Sequence, residues 1–128
     1  MSPEIAQEII NSMNRKFKVN ALTIFAVTGE KLSGTKSRYI IICEKDKDHS
    51  AFEDVKKLVE SLLQESFHYK LARDLHQLGI AKALFHPLAR GIYQKRAEFK
   101  GMVLGNIKLE PLVQCSNQEW KMMISNFI

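Results

Sequence analysis

Cysteine is scarce in this chain: Cys43 and Cys115 are the only two among 128 residues, and they lie far apart with no paired histidines nearby. A four-cysteine or cysteine–histidine zinc site is excluded by that count, and the two thiols read as reduced packing residues. Long apolar runs are missing too. None approaches the roughly 20 residues that a membrane helix needs. No charged-then-apolar export pattern marks the N-terminus, so a cytoplasmic protein with no membrane partner is expected. No Gly-x-Ser-x-Gly elbow, phosphate-loop pattern or dinucleotide fingerprint occurs. The four histidines, His49, His68, His76 and His86, show no metal spacing, and packing or exposure is the simpler reading of each. As a self-contained enzyme the chain has almost no equipment.

What is present describes one globular domain, 1–128, with 45% apolar and 26% charged residues. Nineteen Lys and Arg against fourteen Asp and Glu leave a net charge of +5. That excess suits a solvated basic surface, a phosphate-docking face or an acidic partner, and by itself it selects none of them.

"SPEIAQEIINSM" opens a helix, with Ser2 as cap, Pro3 at the first position and an apolar stripe of Ile5, Ile9, Ile10 and Met13. "ALTIFAV" and "RYIIICE" read as an antiparallel strand pair with a long exposed connection. "SAFEDVKKLVESLLQES" is the strongest helix, and its Ser50–Glu53 spacing predicts a capping box. A shorter helix, "FHYKLARDLHQLG", stops at Gly79, and a third strand covers 80–85. "LARGIYQKRAEFKG" reads as helical, ended by Gly101. Asn117 is expected to cap a tail helix over 118–127. The pattern predicts an α+β two-layer fold, with a small, mostly antiparallel sheet of three or four strands and helices on one face.

A basic α+β sheet raises the question of RNA, and "KGMVLGNIKL" begins like the signature strand of an RNA-recognition domain. The positions that need exposed stacking rings hold Met102, Leu104 and Ile107. Sequence-specific RNA recognition is therefore set aside, and sequence-independent phosphate binding stays open.

Three stretches, "SRYIIICE", "FHYKLARDLHQLG" and "RGIYQKRAEFKGMVLGNIKLEPLV", in this order and at these separations, resemble the C-terminal domain of the Gretchen Hagen family, the auxin-responsive acyl-acid amido synthetases. The resemblance covers 4–113, and its most specific piece is His68–Tyr69, Ala72–Arg73, Leu75 and Gln77 to Gly79. It implies a mobile lid of an adenylate-forming ligase, which first makes an acyl-adenylate and then joins the acid to an amino acid. The implied partner is a large N-terminal adenylation domain, on the same polypeptide or a separate chain. That domain would bind most of the ATP and magnesium, leaving this chain without a cofactor of its own and inactive alone.

In the family a lid lysine, in a glycine-marked segment before a Lys-x-Pro-Arg pattern, approaches the nucleotide phosphate. Lys108 stands at that place, so the resemblance makes Lys108 the catalytic residue and Lys108 with Gly105 the nucleotide-binding pair. Gly101 and Gly105 would let the backbone approach the nucleotide closely. This sequence departs from the pattern after the lysine, where it reads Leu109, Glu110, Pro111 and Leu112. In the turn after the third helix, His76 replaces a family glycine. Lys108 is expected to be exposed, with Glu110 as the acid that could pair with it. The alternative reading is a non-catalytic interaction module that keeps the fold and binds phosphate or nucleic acid through its basic surface.

Overall fold

The structure, a computed structural model, describes residues 1–99, 101, 108–125 and 127. Helix α1 (Pro3–Phe17) begins where Ser2 accepts a hydrogen bond from the Ile5 amide, and it buries Ala6, Ile9, Ile10 and Met13. It ends at Lys18, whose φ of 52° turns the chain back toward the sheet. Asn14 then holds the turn, accepting from the Ala21 amide (2.6 Å) and donating to the Ala21 carbonyl (3.1 Å).

Strands β1 (Ala21–Thr28) and β2 (Arg38–Cys43) form the expected antiparallel pair, with Val27 opposite Arg38 and Ala21 opposite Cys43. Their connection leaves β1 through Gly29, where a Cβ atom would lie 2.1 Å from the Thr35 carbonyl oxygen, so only glycine fits. Helices α2 (Phe52–Gln64) and α3 (Phe67–Asp74) follow, then β3 (Lys82–Phe85), α4 (Arg90–Phe99), β4 (Leu112–Ser116) and α5 (Asn117–Ile124).

The result is an α+β fold with a four-stranded sheet in the order β3-β2-β1-β4. Two details differ from expectation. Only the central pairing is antiparallel, because β3 lies parallel to β2 and β4 parallel to β1. A parallel pairing needs a long crossover, and α2 with α3 supply one between β2 and β3.

The second difference is that the described residues form three layers. Ile24, Ile41 and Cys43 pack with α1, α2 and Tyr69 of α3 on one face. Phe25, Val27, Ile40, Ile42 and Val113 pack with Ile92 and Tyr93 of α4 and Trp120 and Met123 of α5 on the other. A strand covered on both faces has no solvent side, which is why β1 and β2 read as nearly continuous apolar runs, with Thr23 the polar exception inside β1. Cys43 and Cys115 fall on opposite faces of the sheet and are both buried.

Two caps also differ. Ala51, in helical conformation and without a side-chain bond, precedes α2, so the Ser50 box does not form. The box forms at α5, where Ser116 and Glu119 cap each other, and Asn117 is the first helical residue.

Candidate functional site

Lys108 lies in the irregular segment that leads into β4, and it is exposed. Its backbone is held from two sides. The buried Tyr93 hydroxyl of α4 donates to the Lys108 carbonyl (2.9 Å) and accepts from the Glu110 amide (3.1 Å). From the sheet, the buried Thr23 hydroxyl donates to the Glu110 carbonyl. The Ile24 amide donates to the Pro111 carbonyl (3.0 Å). A tyrosine buried in an apolar core must still find a partner for its hydroxyl, and here that need fixes the segment carrying the lysine.

Among the described residues Lys108 makes no ion pair, and Glu110, also exposed, does not engage it. A cation on an anchored backbone, without an internal counter-charge, is available to an outside anion. Gly105 lies outside the described residues. Gly101 follows α4 with a φ of 71°, and its amide bonds to the Glu98 carbonyl (3.0 Å), the glycine stop that the sequence suggests. Tyr93 was not legible as a site residue, since one apolar position of a helix looks like another until the hydroxyl's partner is known.

The most specific motif residues have a different task. Glu60 of α2 is only 15% exposed at its side chain. It accepts from the Tyr69 hydroxyl (2.5 Å), Gln64 (2.7 Å), the Ala81 amide (2.9 Å) and Arg73 Nε (3.1 Å). Arg73 also donates to the Leu78 carbonyl (3.3 Å). Burial pushes the Glu60 carboxyl up, but the Ala81 amide, Tyr69, Gln64 and Arg73 together outweigh it and hold it below its ordinary value. The Tyr69 hydroxyl is pushed up by burial and by the carboxylate it donates to. This clasp ties α2, α3 and the chain just before β3 together, so Tyr69 and Arg73 are structural.

The histidines are not brought together. His49 and His86 accept from the Ala51 and Leu88 amides (3.2 and 2.9 Å), each closing a turn. His68 is exposed, with its ring 5.8 Å from that of Phe67, and His76 occupies a left-handed backbone position at φ 60°. Among the described residues no group of three or more His, Cys, Asp or Glu could hold a metal ion, and no helix is long and apolar enough to cross a membrane.

Comparison with known proteins gives one finding. The family model described as the GH3 family C-terminal domain matches residues 4–117. No curated protein and no solved structure matches the chain.

Proposed function

Because the chain belongs to the GH3 family of acyl-acid amido synthetases, as its C-terminal domain, we propose that it is the mobile lid of an ATP-dependent ligase and that Lys108 is the charge it carries to the nucleotide. The single observation that supports this is the state of Lys108: exposed, without an ion pair among the described residues, on a backbone fixed by Tyr93. When the acid's carboxylate attacks the α-phosphorus, an oxygen–phosphorus bond forms, the bond to the leaving pyrophosphate breaks, and negative charge is redistributed over the phosphate oxygens. An ammonium held beside those oxygens stabilises that charge without reorganising at the moment of reaction. The anchored backbone lowers the ordering needed when the lid closes.

The acid and the adenine would be bound by an N-terminal adenylation domain, which family membership implies. Lys108→Ala, in the full-length or reconstituted enzyme, should slow single-turnover adenylate formation by about 10²–10³, the usual loss when one charge-stabilising donor is removed. Stability of the domain should hardly change, as an exposed unpaired lysine contributes little. Adenylation at the wild-type rate would reduce Lys108 to a surface charge and favour the interaction-module reading.

A further inference from the structure

Lys36, Arg38 and Lys82 line one groove of about 390 Å³, together with Thr35, Gly79 and Ile80, and among the described residues no acid lines it. The register places this groove at the other end of the sheet from Lys108. Arg38 pairs with Val27 near the end of β1, whereas the segment carrying Lys108 enters β4 opposite Ile24. None of the three cations makes an ion pair among the described residues.

Arg38 is the central group. It is partly buried and donates to the Lys36 carbonyl (3.3 Å) and to Asn117 Oδ1 (3.1 Å). Those bonds hold the guanidinium in place and use two of its five donors. Burial lowers its affinity for its proton, against a smaller opposing effect of the nearby Cys115. The bland explanation covers only part of this arrangement. Lys82 lies on the edge strand β3, where lysine discourages strand addition. Arg38 is on the interior strand β2, and Lys36 precedes it, so neither guards an edge.

We propose that this groove is a binding site for a small phosphate polyanion, of about the size of a diphosphate. Three cations lining one groove exceed what a single carboxylate balances, and the planar fork of an arginine matches phosphate oxygens in pairs. The site is separate from Lys108 and does not depend on that reading, which is decided by adenylation rate alone.

The test is calorimetric titration of the 128-residue chain with inorganic pyrophosphate at low ionic strength, with inorganic phosphate and citrate as comparison arms. Amide chemical shifts locate the binding. Saturable pyrophosphate binding is expected, tighter than phosphate and citrate, with shifts centred on 35–38 and 79–82. The double variant Lys36→Ser, Lys82→Ser changes two exposed side chains and should bind at least tenfold more weakly. Three results would each overturn the proposal: no saturable binding, equal affinity in the double variant, or shifts centred on 108–111. Citrate binding as tightly as pyrophosphate would overturn the phosphate assignment.

Discussion

Two residues decide how the region around α3 behaves. Glu60 is a carboxylate with four hydrogen-bond donors around it, drawn from α2, α3 and the chain before β3. Replacing it by Gln removes the charge and sets an amide N–H against groups that also donate. A loss of about 2–3 kcal/mol is expected from urea unfolding, typical of a charge-assisted bond with buried partners. The pH dependence has a definite sign. The folded carboxyl is held below its ordinary value, so its contribution is complete above about pH 4.3, the usual glutamate value, and is lost as pH falls through the folded value. The stability gap between wild type and Glu60→Gln should therefore be constant near neutrality and narrow below about pH 4; a gap that widens on acidification would refute the clasp. His76 acts through its backbone. Its φ of 60° is a left-handed position that costs a side-chain-bearing residue about 1–2 kcal/mol, at the turn where the family carries glycine. His76→Gly relieves this strain but loosens the unfolded chain. A net gain of about 0.5–1 kcal/mol is expected, read as a raised denaturation midpoint, and destabilisation would show that the His76 ring makes up for the strain.

At the scale of elements, what was legible followed from local chemistry, and what was missed depended on partners. Helix α1 could be read from Ser2, Pro3 and its stripe because cap, first turn and buried face all lie within one segment. Strands β1 and β2 are legible from their β-branched and aromatic residues, and their nearly continuous apolar character is also the mark of a second helical layer, which becomes evident only when both faces are seen covered. Strand β4 escaped notice because it is five residues long, buries only Val113 and Cys115, and follows a proline. The Lys108 position was available only through family resemblance; its anchor on Tyr93 depends on a contact 15 residues away in sequence. The caps give a direct comparison. Ser50–Glu53 and Ser116–Glu119 have the same spacing, yet only the second forms reciprocal bonds. At α2 the His49 ring accepts from the Ala51 amide, and Ser50 is left exposed. Ser116→Ala should therefore cost about 1 kcal/mol, while Ser50→Ala should stay within about 0.5 kcal/mol. Equal losses in chemical denaturation would mean that both boxes form in solution.

For the whole molecule, the question is whether two apolar clusters separated by a sheet behave as one domain. The clusters share no side chains, but they share a backbone: successive residues of β1, such as Ile24 and Phe25, point into opposite cores. Opening either face exposes the strand that the other face needs, which couples the two energetically. A lid that must swing as a rigid body requires this coupling, since a loosened half would carry Lys108 away from its target. The single tryptophan makes the coupling measurable. Trp120 lies only on the α4–α5 face, with its ring 5.2 Å from that of Phe25. Its fluorescence therefore reports that face, whereas far-ultraviolet circular dichroism is weighted by the helices of both. In urea the two signals should fall along one curve, with the same midpoint and slope, as two-state unfolding demands. An earlier tryptophan transition would divide the chain into two independently melting layers, and the proposed rigid-body lid would then need α4, and Lys108 with it, to be ordered by the adenylation domain.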